Sequence, residues 1–296
     1  MTRAEFAKLV NRTLGFTAES AISFSDVTKR DWFYAEVARA VAAGYAQGSG
    51  GMFRLNQPIT CAEAVVTLDR VRKSAKEAVI EKAGTTLENK TIPGDLVIAE
   101  SVGEGNVTLK NVTVPGSVIV KGGGANSIYF DGVHVGGTVR LQKVNVHLRL
   151  IGNTALDRVE IGLPCRITRD STFEGALGAL VIDMEKTSNQ KIQIEVPAKL
   201  VELLSRANVA LNADVETLQI GKDAEGTQLD IKRGVTVGEL SIDARVALTG
   251  SGLVVSLVVS VSGVTVSGSL TVKTRPRPRA ARRLRRYPAA AAQAAV

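Results

Sequence analysis

A short echo in the middle of the chain constrains its fold more than any other feature. Ile92-Pro93-Gly94 returns as Val114-Pro115-Gly116, 22 residues on, and Gly136-Gly137 follows after a similar interval. Around these triplets lie short runs: Leu96-Val97-Ile98, Val107-Thr108-Leu109, Ser117-Val118-Ile119-Val120, Ser127-Ile128-Tyr129-Phe130 and Thr138-Val139-Arg140-Leu141. Gly, Asn and Asp separate them, as they separate strands. The rhythm continues through 217–221, 229–231, 237–242 and 246–250. A repeat of about 20 residues holding two or three short strands suits one coil of a parallel β-helix, in which each turn stacks on the last. An antiparallel sandwich also uses many short strands, but it does not require the echo. Aromatic residues make up only 4% of the chain, which fits a narrow interior of Val, Ile and Leu. Val196-Pro197 and the run 199–204 interrupt the pattern and predict a short helical excursion.

The first 75 residues follow a different period. Phe6, Leu9, Val10 and Leu14 form a helical stripe over 2–14, with Gly15 as a stop. Asp31 is placed to cap a second helix that buries Tyr34, Val37, Ala38 and Val41 and ends at Gly44. Pro58-Ile59-Thr60 opens a third helix running to about Ala78. Thr2-Arg3-Ala4-Glu5 returns as Thr60-Cys61-Ala62-Glu63, 58 residues later, and Arg12 returns as Arg70. Each copy is Thr-x-x-Glu before an apolar run. In such a capping box the hydroxyl accepts from a first-turn amide and the carboxylate reaches back to the cap amide.

Between the two copies lie Phe24-Ser25-Asp26-Val27, Trp32-Phe33-Tyr34, Gly44-Tyr45 and Gly48-Ser49-Gly50-Gly51-Met52-Phe53. This order of parts closely resembles the S-layer homology (SLH) repeat over residues 1–73. The resemblance implies a bacterial surface protein fastened to a secondary cell-wall polysaccharide, acidic and often pyruvylated, in a Gram-positive cell wall or S-layer. In that family three repeats pack about a pseudo-threefold axis with binding grooves between them. By position, the family's groove residues become Arg3, Asp26 and Trp32, with Gly44 and Gly48 shaping the loop. A guanidinium suits a carboxylate, and an aromatic face suits a sugar ring. Cys61 stands where the second copy would carry its Arg, and barely one and a half repeats are present, so self-association of several chains is the expected route to a fuller site. The stretch from Thr91 to Asn126 resembles the solenoid regions that accompany SLH repeats.

The reading gives an α + β multidomain protein. It places an SLH unit at 1–75, a helical linker at 76–90, a right-handed parallel β-helix at 91–272 and a disordered Arg/Pro/Ala-rich tail at 273–296. The net charge of +8 belongs to that tail. Lys273, Arg275, Arg277, Arg279, Arg282, Arg283, Arg285 and Arg286 supply eight positives, and removing them from 37 leaves 29 basic against 29 acidic residues. Arg-rich segments bind phosphate backbones, yet no nucleic-acid fold or aromatic platform accompanies this one, so no nucleic-acid partner is expected. Its abrupt composition reads as translation out of frame. Met1 occupies the place of Ile59 in the second copy, so the chain opens inside a repeat, and a signal and earlier repeats are expected upstream. No apolar run is long enough to span a membrane.

An enzyme on a β-helix is the competing class, a polysaccharide lyase or glycosidase attached to the wall. Asp183 and Glu185 are expected to share a strand face, as are Asp230 and Lys232, and paired carboxylates can serve as acid and base. The only histidines, His134 and His147, are too isolated for a metal site. Gly122-Gly123-Gly124 reads as a turn, since no Lys-Ser/Thr follows it. Cys61 and Cys165 fall in different units and read as free thiols. No cofactor and no catalytic residue is expected.

Overall fold

A computed structural model describes residues 1–14, 16, 19–74, 78–273 and 285–286. Three helices open the chain: α1 (Arg3–Leu14), α2 (Tyr34–Ala42) and α3 (Cys61–Ser74). Both capping boxes form. Thr2 N donates to Glu5 Oε2 at 2.7 Å and Glu5 N to Thr2 Oγ1 at 3.3 Å. Thr60 N donates to Glu63 Oε2 at 2.9 Å and Glu63 N to Thr60 Oγ1 at 3.2 Å. Two orphan amides are thus satisfied at each helix start. α1 and α2 share a small core of Ala4, Phe6, Ala7, Val10, Val37 and Ala40, closed by Tyr45, Phe53 and Leu55.

From Ala78 the chain winds into a parallel β-solenoid of about 10 turns. Every pairing between its strands is parallel, each strand lying beside one from the neighbouring coils. Leu96 sits in register with Val118, Val118 with Val139, Val139 with Val159, and Val159 with Leu180. The same column continues through Val201, Leu218, Leu240 and Leu257. Alternation along a strand sends every second side chain inward, so a repeat in the sequence becomes a column of apolar side chains in space. The echoed Pro-Gly turns stack in the same way: Ser117 N donates to Asp95 Oδ1 across the 22-residue interval, at 2.8 Å.

One corner of the coil needs a left-handed backbone. Asn89 and Asn111 take it at φ 52° and 50°, and Gly132 and Gly152 take it in the following coils at 62° and 56°. Asn tolerates this region better than other residues with a side chain. Here Asn111 Nδ2 also donates to Asn89 Oδ1 at 3.1 Å.

Several expectations are corrected. The run 199–204 is no helix: Ala198–Leu203 is a strand paired with Ala176–Ile182 and Val215–Ile220. Val201 and Leu203, buried two residues apart, let the coil continue where Val196-Pro197 suggested a break. Within the span expected to be a helical linker, Ala78–Ile80 and Thr85–Thr91 are strands, so Ala78, where the third helix was expected to end, already belongs to the first strand, while 75–77 lie outside the described residues. Asp31 does not cap α2. Phe33 holds that position, and the Asp31 carboxylate accepts from Thr28 N and Oγ1. Gly15 lies outside the described residues, as does the tail apart from Lys273 and Arg285–Arg286, whose backbone pairs parallel with Thr265–Val266. No helix among the described residues is long and apolar enough to cross a membrane.

Candidate functional site

The start of α1 is pinned between two distant parts of the helical unit. Arg3 N and Ala4 N donate to Gln57 O and Leu55 O at 3.0 and 3.2 Å. The Arg3 guanidinium then reaches three acceptors: Nε donates to Phe53 O at 2.9 Å, Nη1 to Glu63 Oε1 at 2.8 Å and Nη2 to Gln47 O at 3.3 Å. It also lies 5.5 Å from the Phe53 ring centroid. Arg3 therefore ties α1, the 47–53 loop and α3 together. Hydrogen bonds from Thr60, backbone first and then hydroxyl, hold the Glu63 carboxyl below the usual carboxylate range, and Arg3 adds to the effect.

Asp26 works on the same loop from its other side. Its Oδ1 accepts from Phe53 N at 2.8 Å and its Oδ2 from Arg54 N at 2.7 Å. Arg54 has φ 58°, so the carboxylate stabilises a turn that few non-glycine residues adopt. Gly48 is required by space. A Cβ there would lie 2.6 Å from the Phe24 ring and 2.5 Å from Met52 O. Gly44 is required by conformation, since it follows α2 at φ 76°.

Trp32 stands apart from this cluster. It is 64% exposed, packs edge-on against Phe33 at 5.0 Å between centroids, and has Lys8 Nζ 5.2 Å from its ring centroid. Arg3, Asp26, Gly44 and Gly48 thus converge on the loop between α2 and α3, whereas Trp32 and Lys8 form a separate exposed platform.

Beside Arg3 a narrow cleft opens between α1 and α3. Phe6, Ala7, Tyr45, Gln47, Phe53, Ile59, Thr67 and Arg70 line it together with Arg3. Below it the Tyr45 hydroxyl lies 2.7 Å from Asn11 Oδ1 and 3.2 Å from Ala7 O, while Asn11 Nδ2 donates to Glu36 O and Oε2. Burial, with the Glu36 charge, pushes the Tyr45 phenol well above its ordinary value. Sequence reasoning placed Glu63 in a capping box, Tyr45 in the repeat pattern and Arg70 as the counterpart of Arg12, but assigned none of them to the site. The seven-residue interval from Glu63 to Arg70, two helical turns on one face, was the available signal.

On the solenoid, Asp183 and Glu185 do not share a strand face. The strand ends at Ile182, and both carboxylates follow in an exposed loop. They border a cleft with Arg140, Arg158 and Glu160. Burial raises the Glu160 carboxyl, but hydrogen bonds from Arg158 and Arg140 outweigh it and hold the group below its usual range. Asp230 and Lys232 are an ion pair at 2.6 Å, with Lys232 just beyond the strand Gln228–Ile231. Cys61 is exposed and Cys165 buried, both free thiols, and burial pushes the Cys165 thiol up to about 12.

Residues 23–65 match the S-layer homology domain. The match holds Asp26, Trp32, Gly44 and Gly48, while Arg3 precedes it. Among the curated proteins and among the solved structures, nothing matches the chain. The domain implies a protein associated with the cell wall or S-layer, outside the cell.

Proposed function

We propose, from the SLH domain that this chain carries, that it is a non-catalytic surface protein whose helical unit grips an acidic secondary polysaccharide of a Gram-positive wall. The solenoid is then a structural or adhesive element projecting from the wall. One observation supports this reading above the others: the two capped helices and the loop fixed by Asp26 enclose a cleft bearing two guanidiniums. Guanidiniums favour planar anions such as carboxylates, which suits a pyruvylated or uronate-bearing polymer. The separate Trp32–Lys8 platform offers a second place for a sugar ring beside a charge.

Co-sedimentation with purified walls, before and after removal of the secondary polymer, tests the reading. The full chain is compared with a version ending at Val272, because eight tail cations adhere to any anionic wall. Polymer-dependent binding by both versions is expected. Binding by the full chain alone would mean that only the tail adheres. The non-catalytic reading is checked by incubating wall polysaccharide with the protein and measuring new reducing or unsaturated ends. Turnover lost in Asp183→Asn or Glu185→Gln would replace it with the enzyme reading.

A further inference from the structure

We propose that Arg70, not Arg3, makes the contact with an acidic group of the bound saccharide, a carboxylate projecting into the cleft between α1 and α3. This rests on the wall-polysaccharide reading above. Arg3 is committed elsewhere: Glu63 neutralises its charge at 2.8 Å, and two backbone carbonyls take further donors. It is a positioning residue that holds the 47–53 loop against both helices. Arg70 borders the same cleft and has no ion-pair or hydrogen-bond partner among the described residues. Glu63, Thr67 and Arg70 lie along one face of α3, so the capping box that anchors Arg3 also aims Arg70 at the opening.

The charges leave the cleft with one uncompensated cation. Arg3 and Glu63 cancel, and Arg70 remains. The cleft holds about 20 Å³, room for about one water-sized group. The sugar ring therefore stays outside, and only the tip of one substituent enters. A carboxylate carried on a sugar can place one oxygen there beside Arg70, and Thr67 adds a hydroxyl one turn away on the same helix. Arg12, the counterpart of Arg70 in the 58-residue repeat, is exposed and does not border the cleft, so the molecule carries its own control.

Titration of the isotope-labelled full chain with D-glucuronate, followed at the arginine Nε–H resonances, tests the proposal without the wall. A saturable shift at Arg70 is expected, absent with D-glucose and absent at Arg12. A shift at Arg70 no larger than that at Arg12 would overturn it. Against the wall polymer, Arg70→Gln is expected to lower affinity about tenfold with an unchanged melting temperature. Chemical reduction of the polymer's carboxylates should weaken the unaltered chain by the same factor and have no further effect on Arg70→Gln, as a shared interaction requires. Equal affinity of Arg70→Gln and the unaltered chain for the native polymer would also sink it. A saturable shift at Arg70 in a chain that binds no wall polymer would overturn the wall reading and leave the anion subsite standing.

Discussion

At the residue scale, the side chains that carry charge in the helical unit mostly hold it together. Arg3 was legible as important, but its role was not, because Glu63, Gln47 and Phe53 meet it only after 44 to 60 residues of chain have folded back. Arg3→Ala would take the donor from the Phe53 and Gln47 carbonyls and from Glu63 Oε1, leaving that carboxylate only its Thr60 donors. A loss of about 1–3 kcal/mol is expected, read from urea unfolding of the helical unit. His147 gives a pH prediction for the solenoid. Its Nδ1 faces Ala125 O at 3.1 Å, so that nitrogen carries the proton, and Nε2 at 2.7 Å from Thr168 Oγ1 accepts from the hydroxyl. Burial lowers its pKa below 6.5. The bond to Ala125 and the Glu195 charge oppose the shift, and the Arg149 and Arg166 charges support it. The folded state therefore resists a proton that the unfolded chain accepts. Stability is full above about pH 6.5 and falls as pH drops below it toward the lowered value. Melting temperatures across pH 7.5 to 5 should decline more steeply for the unaltered chain than for His147→Gln.

At the element scale, the two copies of Thr-x-x-Glu make the same helix start and then diverge. α1 buries Ala7 and Val10 against α2, whereas Val65 and Leu68, the same positions 58 residues on, are 66% and 48% exposed in α3. The apolar stripe of a helix is written in its sequence, but what covers the stripe is not. The solenoid's corner shows the reverse case, where local chemistry is sufficient. Asn89 and Asn111 recur at the coil interval because their side chains suit a left-handed turn and then bond to each other. Asn111→Val should destabilise by about 1–2 kcal/mol, the cost of a positive φ for a branched residue. Asn111→Gly should lose only the side-chain bond. Guanidinium chloride unfolding of the two variants distinguishes these outcomes, and equal losses would show that φ is not the cause.

At the scale of the whole molecule, two cores exist side by side. One joins α1, α2 and the loop to Leu55, and the other runs through the coils from Ile80 to Val264. Between them Pro93 and Pro115, from adjacent coils, face Phe6, Leu9 and Leu68 across an apolar cleft of about 570 Å³. Separate cores predict separate unfolding. Leu180 is fully buried in the central column, and Leu180→Ala should cost about 2–5 kcal/mol. Because each coil contacts only its neighbours, that loss should lower the transition followed by strand circular dichroism. Fluorescence of Trp32 in the helical unit should report an unchanged midpoint.

The sequence by itself determined the solenoid, since a period-two alternation repeated at the coil interval has one economical way to bury its apolar positions. It also determined the three helices, α1 and α3 through their capping boxes and α2 through its apolar stripe alone. The tertiary structure alone decided the run 199–204, where pairing to the coils on either side outweighs local preference. It decided the site as well. Arg3, Asp26 and Glu63 are spent on one another's surroundings, while Arg70 keeps its charge. Which cation is free depends on the partners that folding brings within about 3 Å, and no spacing along the chain encodes that.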